Sequence, residues 1–208
     1  MKRVILFVLF AVLISLLSGC ATIYHKPEFS GRLIDAETKE PLEGAVAVVL
    51  YYKQATVSLN VGGVSDYPFA ARETLTDSKG EFYFPSYTTL LLFSEGRGAE
   101  FILYKPGYMA DDGIINTGIG GAYITPERYF ATDVVGKEVE IEVWSQRLGR
   151  QVKWRGPVGI VEMKRAKTRE DRRRTRPSIG GIDEQKKLPL FSKIVEDEYN
   201  YLYGKEGR

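Results

Sequence analysis

The sequence predicts a mainly β protein, an antiparallel sandwich of seven to eight strands followed by one C-terminal helix. Three observations carry that expectation. Short apolar or alternating runs recur between turn signals, no helical period appears among them, and the 208 residues include 21 Gly, 13 Tyr and 10 Phe. A chain of this length is long enough for one domain with a proper core, and for two only if both are small.

The N-terminus is organised differently. Lys2 and Arg3 precede an apolar stretch from Val4 to Leu17, broken only by Ser15, and small residues follow at Ser18 and Gly19. This is the layout of an export signal over residues 1–19, and its apolar run is short for a lasting membrane span. Removing it leaves 27 basic against 27 acidic side chains, so the net charge of +2 belongs to the signal and gives no reason to expect nucleic acid as a partner.

The one cysteine, Cys20, makes no internal disulfide. It is either an inert small hydrophobe or a modified residue. Leu17-Ser18-Gly19-Cys20 resembles the bacterial lipobox, in which the first three residues are read by the lipoprotein signal peptidase and the cysteine sulfur takes a diacylglyceryl group. The resemblance implies a lipid-anchored (palmitate-bearing) envelope protein whose membrane partner is held through Cys20. Ala21 stands where an aspartate favours inner-membrane retention, so the outer membrane is expected. Each buried methylene adds about 0.8 kcal/mol, and two or more chains anchor stably where one is marginal.

Residues 20–28 are expected to be a tether, and 29–163 the β domain. Phe29, Leu33 and Ile34 mark a strand, Asp35 to Pro41 a polar turn, and Ala45 to Tyr52 a β-branched and aromatic strand; the simplest reading joins these as a hairpin. A second hairpin is expected across Asp77-Ser78-Lys79-Gly80, with Thr74 and Thr76 before it and Phe82 and Phe84 after it. Residues 100–105 form a further strand. Val139, Ile141 and Val143 alternate with Glu138, Glu140 and Glu142, the signature of a strand with one buried face, and residues 156–163 offer a weaker one.

Two long loops interrupt the pattern. Residues 53–72 include a possible strand around Thr56 to Val61, and residues 107–133 contain five glycines. Both are candidate recognition surfaces. Residues 164–176 hold eight basic and two acidic side chains with almost no apolar ones, so 164–187 reads as a basic linker, a solvated helix or an extended segment that buries no face. Such a run also suits anionic headgroups. An amphipathic helix is expected over 188–204, with Phe191, Ile194, Val195, Tyr199 and Leu202 on one side, packed on its own domain, in a partner groove or on a membrane surface.

The order of the motifs GRLIDAETKEPLEGA, TLTDSKGEF and FILYKPGY resembles the carboxypeptidase regulatory-like domain, a transthyretin-like sandwich. The matching positions are Gly31, Asp35, Pro41, Leu42, Gly44, Ala45, Thr76, Asp77, Gly80, Phe82, Gly107 and Tyr108. The resemblance covers residues 29–110, with Val139 to Trp144 as its closing strand. The loop at 53–72 lengthens the gap between its first two motifs, and the chain beyond about 150 lies outside it. These are turn and core residues, so they speak to fold more than to function.

Catalysis finds little support. His25 is the only histidine, so neither a zinc hydrolase nor a serine triad can be assembled in the usual way, and no catalytic residue is assigned. Gly118-Ile119-Gly120-Gly121 lacks the spacing of a nucleotide-binding loop. Asp111, Asp112 and Asn116 form a possible ligand loop with oxygen donors, but the EF-hand spacing is missing and no metal or cofactor is implied. Glu140 and Glu142 sit on the wet side of their strand. Trp144 and Trp154 would stack on a sugar if exposed, and Trp144 is expected in the core. The expected role is a non-enzymatic binding or scaffolding module with a protein or glycan partner in the envelope. The rivals are a carbohydrate or cell-wall binder and a hydrolase working with carboxylates alone.

Overall fold

The computed structural model describes Arg3 and residues 21–56, 65–131, 135–181 and 184–204. These are mainly β, with several sheets and a C-terminal helix. The strands are β1 (Ala21–Lys26), β2 (Phe29–Asp35), β3 (Val46–Ala55), β4 (Asp66–Leu75), β5 (Glu81–Phe84), β6 (Tyr87–Leu92), β7 (Ser94–Tyr104), β8 (Ile115–Asn116), β9 (Tyr123–Ile124), β10 (Glu138–Ser145), β11 (Arg150–Pro157) and β12 (Ile160–Met163). The helices are α1 (Pro126–Phe130), α2 (Arg169–Arg174), α3 (Glu184–Lys187) and α4 (Pro189–Tyr203).

Two three-stranded sheets, ordered β12-β2-β5 and β4-β3-β7, share the main core. Phe29, Leu33, Phe82 and Phe84 come from the first sheet; Ala47, Val49, Tyr51, Phe101 and Leu103 come from the second. Fully burying one such large side chain contributes about 1.5–3 kcal/mol. The expected hairpins are not formed: β2 pairs with β5 and β12, whereas β3 pairs with β4 and β7. Both turns instead carry the chain from one sheet to the other.

A shared set of hydrogen bonds makes those two crossings possible. The Thr76 hydroxyl donates to Leu42 O (2.5 Å) and accepts from Ala45 N (2.9 Å), and Leu33 N donates to Gly80 O (2.8 Å). Gly80 has φ +73°, and a Cβ there would collide with the carbonyl oxygen of Leu33. Asp35, buried at the end of β2, accepts from the backbone of Glu37 and Thr38, from the Tyr108 hydroxyl (2.8 Å) and from Arg165 Nε (2.6 Å).

Three other expectations are corrected. Ala21–Lys26, expected in the tether, is a strand paired along its whole length with β6, because Tyr24 and Leu91 turn into the core. Of residues 53–72, 53–55 end β3 and 66–72 belong to β4, so these parts extend the sheet; residues 57–64, and with them 57–61 of the strand expected around Thr56 to Val61, lie outside the described residues. The sheets are also not wholly antiparallel, since β12 runs parallel to β2.

The opposite face of β3 is covered as well. Val46, Val48 and Leu50 pack with Tyr104, Ile179, Leu188 and Phe191, so β3 is apolar on both sides and reads as a continuous run. Glu73 of β4 caps α4, its two carboxylate oxygens accepting from Leu190 N and Phe191 N at 2.8 Å each. Phe191 and Leu202 are buried and Ile194 and Val195 half-buried, while Tyr199 is exposed.

The basic run makes specific contacts, although none of its own residues is fully buried. Thr168 and Asp171 form a capping box that starts α2. Arg172 then reaches the buried Glu198 of α4, and Arg172, Arg173 and Arg176 lie over the rings of Tyr201, Tyr203 and Tyr199. Guanidinium groups do the packing that apolar side chains would otherwise do. Among the described residues no helix is long and apolar enough to cross a membrane.

Candidate functional site

Residues 107–133, expected as a loop, contain the β8–β9 hairpin and α1. Two aromatic side chains fasten α1 to the core. The Tyr129 hydroxyl donates to Ile160 O (2.7 Å), and Phe130 packs against Phe82 and Phe101. Glu127 accepts from Lys26 (2.6 Å) and from Ala99 N (3.2 Å), which ties the same helical turn to β1 and β7. Pro126 at the helix start suits the preset φ of a first turn.

The glycine-rich part of this segment lies against the tip of the β10–β11 hairpin. Ser145 Oγ donates to Gly120 O (2.5 Å), and Arg147 N donates to the same carbonyl (3.2 Å). Gly120 adopts φ +50°, and a side chain there would meet Leu148 and Ser145. Gly118 to Gly121 thus form a tight turn that lets two backbones approach.

A groove of about 350 Å³ opens between these elements. Its walls include Tyr123, Arg128, Glu142, Trp144, Gln146 and Gln151. Trp144 is 60% exposed and Tyr123 48% exposed. Arg128 Nη1 donates to Glu142 O (2.8 Å), which joins the α1 wall to the β10 wall. Flat aromatic faces beside amide, carboxylate and guanidinium groups can stack on the apolar face of a sugar ring and hydrogen-bond its hydroxyls.

Trp144 therefore departs from its expected place in the core. It shares the parity of Glu138, Glu140 and Glu142, the wet side of β10, whereas Ile141 and Val143 point inward. That parity was the signal in the sequence. Trp154, opposite Ile141 on β11, is half-buried and packs against the core. The hairpin makes its own two-stranded sheet and joins the core through side chains.

Asp111, Asp112 and Asn116 do not act together as a ligand cluster. Asp111 accepts from Gly113 N (2.6 Å), Asp112 from Ile114 N (3.0 Å) and Asn116 from Gly118 N (2.9 Å), so each closes its own local turn. Burial pushes the Asp111 carboxyl up. Among the described residues no three His, Cys, Asp or Glu side chains form a metal-holding group. Glu140 pairs with Lys153 (2.8 Å), which holds its carboxyl below the ordinary range. A general acid at neutral pH needs the opposite shift. His25 Nδ1 lies 2.8 Å from the Thr88 hydroxyl on an exposed ribbon.

A second groove, of about 400 Å³, runs along the basic segment beside Lys167, Arg169, Arg172 and Tyr201. Its guanidiniums are engaged within the chain: Arg172 with Glu198, and Arg169 with Leu202 O. Leu17, Ser18, Gly19 and Cys20 lie outside the described residues. Comparison with protein-family models, with curated proteins and with solved structures gave no match.

Proposed function

We propose that this chain is a lipid-anchored, non-catalytic binding module of the bacterial envelope, and that its ligand is a glycan held in the Tyr123–Trp144 groove. The observation that carries the ligand class is the exposed indole of Trp144 lining a groove of mixed apolar and polar character between α1 and the β10–β11 hairpin. The anchor rests on the lipobox at Leu17 to Cys20, and the outer membrane on Ala21 in the following position. The two three-stranded sheets are the layers of a sandwich of the carboxypeptidase regulatory-like type. In support, the motif residues meet at one junction, where Asp35 takes the Tyr108 hydroxyl and Gly80 and Thr76 join the turns.

Calorimetric titration with soluble peptidoglycan fragments and envelope oligosaccharides tests the ligand class. At least one should bind, and Trp144→Ala should weaken it about tenfold or more, the equivalent of about 1.4 kcal/mol. Binding that is indifferent to Trp144 would move the site elsewhere. A protein partner found by crosslinking at this groove, with no glycan bound, would favour a scaffolding role.

A further inference from the structure

The β1–β6 ribbon is apolar on the wrong side for a water-facing surface. Its inward face buries Tyr24 and Leu91. On the outward face, the register sets Ala21 opposite Leu92, Ile23 opposite Leu90 and His25 opposite Thr88. Ile23 is 74% exposed, and Leu90 and Leu92 are 59% each. Phe93, the single residue between β6 and β7, adds a ring that is 57% exposed, at a backbone φ of +53° that is costly for a non-glycine residue. None of these seven outward residues is Asp, Glu, Lys or Arg. A half-buried ribbon normally alternates apolar-in with polar-out, so this patch calls for an occupant.

The position of the patch in the chain identifies that occupant. Ala21 directly follows Cys20, so the ribbon starts one peptide unit, about 3.8 Å between Cα atoms, from the residue that carries the acyl chains in the anchor reading, on which this inference rests. Acyl chains inserted in a bilayer bring the start of β1 to the headgroup level, and Ile23 follows within about 7 Å along the strand. We infer that the outward face of the β1–β6 ribbon, with Ile23, Leu90, Leu92 and Phe93, lies in the interface of the lipid bilayer beside the anchor. The domain then stands in a fixed orientation on the membrane. An interfacial element of this kind buries its apolar face about 5–10 Å into the headgroup and acyl boundary.

The full chain is produced in bacteria, purified from their membranes in detergent and reconstituted into phosphatidylethanolamine–phosphatidylglycerol vesicles, with or without bromine on the acyl chains. Leu90→Trp replaces one exposed apolar side chain by another, and circular dichroism checks that the fold is kept. Above the emission of Trp144 and Trp154 in the unsubstituted chain, the added indole should lose about half its intensity in brominated vesicles, as burial at that depth requires. An added indole that bromine leaves unquenched overturns the inference. So does crosslinking of residue 90 between two copies without quenching, which would assign the patch to self-association. Mass spectrometry of Cys20 on the same sample reads the anchor separately. Quenching at residue 90 is measured on whichever form the cells make, acylated or not, so the two readings can fail independently.

Discussion

Arg172 and Glu198 meet through two parallel hydrogen bonds of 2.7 Å each, from Nε to Oε1 and from Nη2 to Oε2. The Glu198 side chain is 3% exposed and that of Arg172 is 23% exposed. This pair fastens the basic segment to the C-terminal helix, and the helix in turn covers the outer face of β3.

The two ends of that pair should respond unequally to substitution. Arg172→Met leaves a buried carboxylate without its partner and should cost about 3 kcal/mol in urea unfolding. Glu198→Leu leaves a guanidinium with a path to solvent and should cost less. The double variant should recover much of the loss, since an apolar pair of similar volume often matches a buried ion pair. Equal losses that simply add would show the two residues to be uncoupled.

Asp35 links folding to acid. Its backbone hydrogen bonds, first from Thr38, and the Arg165 guanidinium hold its carboxyl well below the ordinary value of 3.8. A carboxyl with a depressed folded-state pKa gives its full stabilisation above the unfolded pKa and loses it as pH falls through the folded one. The unfolding midpoint should therefore change little through this group from pH 7 to pH 5 and fall steadily below 3.8. Asp35→Asn should lower the midpoint at pH 7 and flatten the acid limb. An unchanged acid limb in that variant would remove Asp35 from the explanation.

Gly80 and Gly107 separate crowding from backbone strain. Both have positive φ, +73° and +86°, but a Cβ at Gly80 meets Leu33 and Leu42 backbone, whereas among the described residues nothing beyond its own chain neighbours lies within 4 Å of one at Gly107. Gly107→Ala should cost about 1–2 kcal/mol from the left-handed conformation alone. Gly80→Ala should cost more, about 3 kcal/mol or above, because the turn crossing must also open. Thermal unfolding of the two variants side by side reads the difference.

Cys20 governs attachment in the proposed reading. A fatty-acid analogue fed to expressing cells should label the chain, and Cys20→Ala should abolish the label. Label that persists in the variant would place acylation on another residue and remove the lipobox reading.

How much of this was legible in the sequence depended on range. Alternation over Glu138 to Val143 placed β10 and its buried face, because a strand's period is local. The same alternation extended by one residue exposes Trp144, the residue on which the proposed site turns. The partners of β2 and β3 were not legible: Thr76 and Gly80 look like the ends of an ordinary hairpin turn, and only their bonds to Leu42 and Leu33 show them joining two sheets. The basic segment misled because its contacts pair charge with charge and with tyrosine rings rather than burying apolar side chains.

The chain's two tryptophans allow the Trp144 groove to be read directly. In a proton–nitrogen correlation spectrum each indole N–H gives one signal, and titration with a bound envelope glycan should shift the Trp144 signal saturably while moving that of the half-buried Trp154 much less. If the glycan binds and the Trp144 signal stays in place, the groove is not the recognition site.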